Sequence, residues 1–309
     1  MGDKRAVATA PAKIILCGEH AVVYGVPAIA VPVLSLQATA TVQTADGDFV
    51  IASAQTGERF SAEDRSHPLV AAVHLALRQF HLSKSGFHIH LTSDIPIASG
   101  LGSGAAVTAA ILKAILRYHQ CSTDLDRING LVYEIEKMHH GTPSGIDNTV
   151  VVYQQPVYFV KEKPIQRLEL GGALHILVAD TGQPASTRKT VAHVADLHHA
   201  DPERIEQIFI EIERLVDEAR QALRTGDAPQ LGDLMTRNHH FLQQLEVSTP
   251  QLDGLVDAAI GAGALGAKLS GGGGGGNMIV LVTPDQINTV QRALIAAGAA
   301  RVFSTQLGA

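Results

Sequence analysis

The chain has 309 residues and a net charge of −6, from 24 basic and 30 acidic side chains. This excess of acid argues against nucleic acid or an anionic membrane as a partner, and no apolar run is long enough to cross a bilayer. The length allows two domains that each bury a core. Two cysteines, Cys17 and Cys121, cannot build a disulfide framework and fit a reducing compartment, so we expect a cytoplasmic location.

The first polar cluster accompanies an apolar run near the N-terminus. Residues 14–16 read Ile-Ile-Leu and predict a strand, which leads into a Gly-Glu-His turn at 18–20. Lys13 precedes the run, and Glu19 and His20 lie in the turn. These three side chains fit a surface ion pair and, equally, a functional cluster at the end of a buried strand.

The central feature is a glycine-rich stretch between a predicted strand at 86–93 and a predicted helix at 105–119. This order points free backbone N–H groups and the positive end of the helix dipole at an anion. Glycine lets the backbone approach that anion closely, because no Cβ intervenes. We therefore predict a phosphate-binding loop. Its residues are Pro96, Ile97, Ala98, Ser99, Gly100, Leu101, Gly102, Ser103, Gly104 and Ala105.

Two other glycine motifs share features with this loop. The spacing of Gly100, Gly102 and Ala105 formally matches the dinucleotide fingerprint, which requires a second strand and an acidic residue about 20 positions on. Asp124 and Asp126 stand at about that distance, but they begin a second predicted helix. The P-loop of nucleoside triphosphatases requires a Lys after its last Gly, and none follows here. A tight turn without a ligand stays open as the simplest alternative.

Two carboxylates follow the loop. Glu136 lies toward the C-terminal end of the helix predicted at 124–140, where the helix dipole disfavours a negative charge. Either exposure of the side chain to solvent or a nearby cation would account for a carboxylate at this position. Asp147 lies in a turn-rich segment ahead of a strand predicted at 149–153. An aspartate at this position is compatible with a role in forming the turn and, equally, with a role as a catalytic carboxylate held on a rigid loop.

A polar section at 161–172 predicts a boundary between two domains, 1–165 and 166–309. Beyond it, the loop at 180–189 carries several hydroxyls and two cations, Arg188 and Lys189, a combination that suits phosphate contacts. The hydrophobic pattern and its turn residues predict helices at 67–81, 201–225, 228–245 and 252–264, strands at 28–34, 36–44, 174–179 and 278–282, and a hairpin turn at Gly47.

Six consecutive glycines, Gly271 to Gly276, stand directly before the last of these strands. A flexible linker is the simplest interpretation of such a run. A linker would join two finished domains, however, and only a strand, one helix and a short end follow here. We therefore predict a segment that passes close to another backbone or to a ligand.

Four segments in order resemble the GHMP small-molecule kinases, and among them the mevalonate kinases. The resemblance covers residues 6 to 282, approximately, and depends on the combination, because the second segment alone is not specific. The segments are Pro11-Ala12-Lys13 through Gly18-Glu19-His20-Ala21-Val22-Val23-Tyr24-Gly25; Pro96-x-x-x-Gly100-Leu101-Gly102-Ser103; His140-Gly141-Thr142-Pro143-Ser144-Gly145-Ile146-Asp147-Asn148; and Lys268-Leu269-Ser270 with the glycine run.

The resemblance implies an α+β fold of two domains, an N-terminal one like domain 2 of ribosomal protein S5 and a ferredoxin-like C-terminal one. It implies transfer of the γ-phosphoryl group of ATP to the 5-hydroxyl of mevalonate, which gives 5-phosphomevalonate. ATP and Mg²⁺ are the implied cofactors, and mevalonate and ATP are the implied small-molecule partners. We expect no nucleic acid and no membrane as a partner, and the sequence leaves a homodimer open.

The same resemblance implies roles for individual side chains. Asp147 matches the catalytic base, and Lys13 matches the cation beside it and the reacting oxygen. Glu136 matches the ligand of Mg²⁺. Glu19 and His20 match residues that face the substrate, and Thr187 matches a hydroxyl near the γ-phosphate.

One position departs from the family. The loop usually reads Gly-Leu-Gly-Ser-Ser, and its second serine helps to bind metal or phosphate, whereas this chain has Gly104 there. Either Ser103 or water takes over that contact.

Other activities make different demands on the sequence. Galactokinases carry Thr-Asp where this chain has Ala21-Val22, and mevalonate diphosphate decarboxylases keep the aspartate but lack the lysine of the first segment. Phosphomevalonate kinase needs further cations for its charged substrate. A nucleotide-binding relative without catalysis would have lost the base or the lysine, and a nicotinamide-dependent oxidoreductase would bind NAD(H).

Overall fold

A computed structural model describes residues 4–97, 99–122, 124–140 and 143–308, apart from the side chains of His139 and His140. The chain divides into two compact units, each built from separate stretches of sequence. The first comprises Met1–Ala12, Leu36–Pro96 and Gly102–Gln154, and the second comprises Lys13–Ser35, Ile97–Leu101 and Gln155–Ala309. These units are discontinuous in sequence, and the predicted boundary between 165 and 166 stays a prediction.

Among the described residues, two long strands, β1 (Arg5–Cys17) and β2 (Ala28–Asp48), contribute to both units, and three further strands and four helices lie within the first. Strand β5 ends directly before the glycine loop, and its buried residues Phe87, Ile89 and Leu91 alternate with more exposed ones, as predicted. It pairs with β2 on one side, antiparallel, and with β3 on the other, parallel. The elements are β1 Arg5–Cys17, β2 Ala28–Asp48, β3 Val50–Ser53, β4 Arg59–Ser61, α1 Pro68–Gln79, β5 Ser85–Ser93, α2 Ser103–Tyr118, α3 Leu125–His140 and α4 Ile146–Tyr153.

Helix α2 is the centre of the first unit. It packs against α1, α3, α4 and β5, and twelve of its sixteen residues are buried. Many of those residues are alanines, which favour a helix and let neighbouring elements approach closely on several sides. The helix that follows the glycine loop is therefore fixed by packing on several sides, and its first turn is fixed with it.

The second unit contains an antiparallel sheet of four strands in the order β11-β8-β10-β9. All residues of β9 and β10 are buried, so the glycine run joins two fully buried strands. The elements of this unit are β6 Val157–Phe159, β7 Gln166–Arg167, β8 Leu174–Asp180, α5 Thr187–Ala200, α6 Pro202–Thr225, α7 Ala228–Gln244, α8 Pro250–Gly261, β9 Gly266–Ser270, β10 Asn277–Val282, α9 Ile287–Ala296 and β11 Arg301–Leu307. Among the described helices, none combines the length and the apolar character that crossing a membrane requires.

Three local predictions were wrong. The valine-rich segment predicted as a strand at 149–153 lies in helix α4, because Val150, Val151 and Val152 are all buried there and packing outweighs their modest preference for strands. Gly47 does form a turn, with φ of 79°, but β3 pairs with β4 and β5 rather than with β2. Helix α5 begins inside the segment predicted as a loop at 180–189.

Candidate active site

The start of α2 presents the anion-binding geometry that the sequence predicts. Gly102 is the N-terminal cap, with φ of 72°, and the helix begins at Ser103. The first N–H groups of a helix have no acceptor within it and carry a partial positive charge. Ser103 and Gly104 are half-buried and Ala105 is buried, so this end is held by the core while its first turn stays accessible.

Glu136 lies beside this helix start. Its side chain is buried, and a Cβ added to Gly104 would stand 3.2 Å from Glu136 Oε1. The position where the family carries its second serine is therefore directly adjacent to a buried carboxylate. The family's serine would therefore crowd the carboxylate of Glu136, which glycine avoids.

Asp147 lies in the first turn of α4 and is half-buried. The residues on either side of it are buried, and Asn148 Nδ2 donates a 2.7 Å hydrogen bond to Asn129 Oδ1. Thr149 Oγ1 donates to the carbonyl of Gly145, the helix cap, at 2.7 Å. Asp147 thus projects from a short helix whose first turn is bound to α3 through Asn148, as a positioned catalytic group requires.

In the second unit, the glycine run lies against residues of the glycine loop that belong to the same unit. Asn277 Nδ2 donates a hydrogen bond to the carbonyl of Ser99, and a Cβ on Gly276 would stand 3.1 Å from that same oxygen. A Cβ on Gly271 would stand 3.4 Å from the carbonyl oxygen of Gly100. The prediction that the run passes close to another backbone is confirmed.

Lys13 is connected to the loop through its backbone. Its N–H donates a 3.0 Å hydrogen bond to the carbonyl of Leu101, and its side chain is buried. Farther along β1, the hydroxyl of Ser270 accepts from the N–H of Ile15 and donates to its carbonyl. These bonds hold the first polar cluster, Leu101 and β9 together.

Glu19 and Lys268 form a buried ion pair. Both side chains are almost fully buried, with exposed fractions of 1% and 0%, and Lys268 Nζ also donates to the Leu269 carbonyl at 2.6 Å. Burial raises the pKa of Glu19, and the charges of Lys268 and Lys13 act in the opposite direction. Oε2 of Glu19 has no hydrogen-bond partner among the described residues.

His20 is the next residue and is also buried. Its Nε2 lies 2.9 Å from the carbonyl oxygen of Gly272 in the glycine run. Burial lowers the pKa of His20 to about 4, so the ring is neutral near pH 7. A carbonyl only accepts, which puts the proton on Nε2 and leaves Nδ1 as an acceptor without a partner in the described part of the chain. Glu19 and His20 therefore each present one buried hydrogen-bond acceptor, Oε2 and Nδ1.

Thr187 lies close to Gly272, the glycine whose carbonyl oxygen contacts His20. It is the first residue of α5, and a Cβ on Gly272 would stand 2.8 Å from its Oγ1. In the second unit the structure thus brings together four of the residues named from sequence, Lys13, Glu19, His20 and Thr187. In the first unit it brings Gly104 and Glu136 together.

Three residues of the predicted phosphate-binding loop precede Ser99 and stay predictions. Ala98 lies outside the described residues, Pro96 is buried, and Ile97 is 59% exposed. Sequence reasoning missed the roles of Lys268 and Asn277 as partners of Glu19 and Ser99. The sequence signal that could have found them is their position, since Lys268 begins the Lys-Leu-Ser-glycine segment and Asn277 directly follows it.

Family models match both parts of the chain. The one described as "GHMP kinases N terminal domain" matches residues 68–155, and the one described as "GHMP kinases C terminal" matches residues 219–300. Together they cover more than half of the sequence.

Relatives and solved structures agree with these matches. The chain is 35% identical to a mevalonate kinase of Pyrococcus horikoshii in an alignment of 321 positions, which covers 96% of this chain and 94% of that protein. A crystal structure of Methanococcus jannaschii mevalonate kinase superposes with a TM-score of 0.86, at 28% identity, over 98% of both chains. The structure of L. major mevalonate kinase in complex with R-mevalonate gives a TM-score of 0.85 at 26% identity, over 99% of this chain and 96% of that one.

The α+β class expected from the sequence is confirmed, since these matches extend over nearly the full length of each chain. The two family models, the 35% identity over 96% of the chain and the structural matches all lead to one assignment. This chain belongs to the GHMP kinase family, in its mevalonate kinase branch.

Proposed function

We propose that this chain transfers the γ-phosphoryl group of ATP to the 5-hydroxyl of mevalonate, giving 5-phosphomevalonate. The observation that carries the proposal is the packing of two glycine-rich segments that lie far apart in sequence. Asn277 and Gly276 contact Ser99, and Gly271 approaches Gly100. These contacts fix Ser99 and Gly100, and the free N–H groups at the start of α2, which follows in the sequence, suit a polyphosphate.

The chemistry assigns distinct tasks to Asp147 and Lys13. An alcohol is a weak nucleophile, so a carboxylate must accept its proton as the new O–P bond forms. Asp147 is the acceptor in this proposal, because it lies in the segment that resembles the family's catalytic one and projects from a helix start bound to α3. The Lys13 ammonium, in this proposal, stabilises the negative charge that develops on the oxygen.

The residues of the first unit fit a divalent cation bound with the nucleotide. Mg²⁺ prefers oxygen ligands and retains several waters, and it is commonly held by one or two carboxylates together with phosphate oxygens. Glu136 supplies a buried carboxylate beside the helix start, and Ser103 supplies a hydroxyl there. When bound, Mg²⁺ neutralises phosphate charge. Among the described residues no cluster of three or more His, Cys, Asp or Glu side chains forms a separate metal site.

Glu19 and His20 fit the hydroxyl-bearing part of the substrate. Glu19 Oε2 and the neutral His20 Nδ1 both lack a donor within the described part of the chain, and a buried acceptor gains from a hydroxyl donor. His20 brings no positive charge to this cluster at pH 7, because its pKa lies at about 4. We therefore assign it to hydrogen bonding rather than to pairing with the mevalonate carboxylate.

Asp147→Asn tests the mechanism. The change keeps the size of the side chain and removes its charge, so turnover should fall by about 10²–10⁴-fold while Mg-ATP binding persists. Lys13→Met should also lower turnover, and the two losses should not add, because both residues act on one proton transfer. The measurement is single-turnover phosphorylation with ATP binding checked by calorimetry. An Asp147→Asn enzyme with near-normal turnover would end the assignment.

ATP consumption should be assayed with mevalonate, phosphomevalonate and galactose in parallel. We expect turnover with mevalonate alone. If the enzyme prefers phosphomevalonate, then mevalonate is not the acceptor, and the proposed nucleotide site is unaffected. A cytoplasmic location and a homodimer stay predictions, and light scattering at assay concentrations checks the second.

A further inference from the structure

A separate cavity lies in the first unit. It has a volume of about 300 Å³, at the small end of ligand pockets. None of the described residues that line it is acidic, and two are basic. They are Thr9, Lys113, Arg117, Leu125, Val152, Tyr153 and Gln154.

Lys113 is the unusual member. Its side chain is only 6% exposed, and lysines are rarely buried to this degree without a counter-charge. Its Nζ donates one 3.1 Å hydrogen bond, to the carbonyl of Val152, although an ammonium has three donors. Burial and then the charge of Arg117 lower the pKa of Lys113 to about 8.

Arg117 places a second cation in the same lining. It follows Lys113 by four residues on α2, so both side chains lie on one face of the helix. One of its N–H groups, on Nη1, donates a 2.7 Å hydrogen bond to the carbonyl of Val7. A guanidinium has five donors in a planar fork, and this fork matches the oxygens of a phosphate.

Negative charge near the cavity is weaker than this positive charge. The C-terminal end of α4 contributes a partial charge of about −0.5, and Lys113 already bonds one of its carbonyls. Tyr153 donates a hydrogen bond to Asp126, whose carboxylate is exposed and therefore screened by solvent. Two full positive charges, one of them buried, outweigh these contributions.

We propose that this cavity binds a small tetrahedral oxyanion of the phosphate class, held by the side chains of Lys113 and Arg117. The ligand is inorganic phosphate or the phosphate group of a small phosphomonoester. Leu125 and Val152 give the lining an apolar part, and the volume exceeds that of one phosphate ion, so an ester with a short carbon chain also fits.

The test is calorimetric titration of the full chain with inorganic phosphate and, separately, with glycerol 3-phosphate, at constant ionic strength. Excess non-hydrolysable ATP analogue keeps the glycine loop filled. The wild-type chain should bind one equivalent of at least one probe. Lys113→Met and Arg117→Gln should each weaken that binding by about tenfold or more, the loss of one charge-assisted hydrogen bond. Tighter binding of the ester or of the inorganic ion identifies the source of the phosphate group.

Arg292→Gln is the matched control, because Arg292 is likewise an exposed arginine on a helix, α9 of the second unit. It should bind both probes as the wild type does. If Lys113→Met does not fold, Arg117→Gln decides the question, since Arg117 is exposed and its replacement leaves the core intact. Equal binding by the wild type and a folded Arg117→Gln variant overturns the proposal. Failure of the wild type to bind either probe at about 10 mM also overturns it.

Discussion

The glycine loop, residues 99–104, and the glycine run, residues 271–276, are both rich in glycine but have different surroundings. In the loop, Gly100 has φ of 79°, and the nearest atom to an added Cβ would be the Ser270 carbonyl oxygen, at 3.8 Å. Gly100 is therefore required for its backbone conformation, and space remains around it. Such space is what a loop needs if a phosphate is to approach its N–H groups.

The glycine run has no such space. Five of its six residues have positive φ. An added Cβ at Gly273 would overlap the Val247 carbonyl oxygen, and at Gly275 it would stand 3.0 Å from the Gln183 carbonyl oxygen. The protein itself fills the volume that a side chain would take. The comparison shows that Gly100 of the loop leaves room for a ligand, whereas the glycines of the run let the backbones of the second unit pack together.

The largest effect is expected from Gly273→Ala. A residue with a Cβ at positive φ costs about 1–2 kcal/mol, and the overlap with Val247 adds a further penalty of about 1–3 kcal/mol. Gly57→Ala is the matched control, because Gly57 also has φ of 72° and nothing within 4 Å of an added Cβ. Urea unfolding should show a much larger loss of stability for Gly273→Ala. Equal losses would mean that the run is not packed as described.

The next effect concerns the histidine that bonds to the run. The pKa of His20 is lowered from 6.5 to about 4, so the folded chain favours the neutral ring. Its contribution to stability is complete above pH 6.5 and is lost as the pH falls toward 4, by about 3 kcal/mol at most. His20→Gln keeps a side-chain N–H donor and does not titrate. The free energy of unfolding, measured between pH 7 and 4, should fall less steeply in this variant, and parallel curves would contradict the assignment.

Gly100→Ala tests the loop. We expect the KM for ATP to rise by about tenfold or more, because the new Cβ occupies space intended for phosphate. Gly47→Ala controls for backbone strain, since Gly47 has the same φ of 79° with nothing within 4 Å. The two variants should lose similar stability, and only Gly100→Ala should lose nucleotide affinity. If the KM for ATP is unchanged in Gly100→Ala, the nucleotide does not use the space around Gly100. The glycine loop would then not differ from the glycine run in leaving room for a ligand.

The smallest effect is expected at the departure from the family loop. Ser103→Ala should lower kcat by about tenfold and weaken ATP binding less, if its hydroxyl replaces the missing contact at Gly104. Gly104→Ser restores the family residue, but its Cβ would stand 3.2 Å from Glu136 Oε1, so the carboxylate must shift slightly. Steady-state kinetics of both variants decide the point. Near-normal kinetics in both would show that the loop uses only its backbone N–H groups.

The sequence by itself determined the local parts of this protein. The strand, glycine turn and helix at 86–119 follow from periodicity and from the special backbone freedom of glycine, and both are local properties. Long amphipathic helices such as α6 and α7 were predicted for the same reason. The order of the four segments was enough to indicate the family.

Only the tertiary structure decided which distant residues meet. Lys268 pairs with Glu19 across 249 positions and Asn277 with Ser99 across 178, and no periodic pattern encodes such separations. The segment at 149–153 became helical because burial of its valines outweighs a weak strand preference. Buried charges and closely packed glycines depend on what surrounds them in space. Their partners are therefore set by the fold as a whole rather than by neighbouring residues in the sequence.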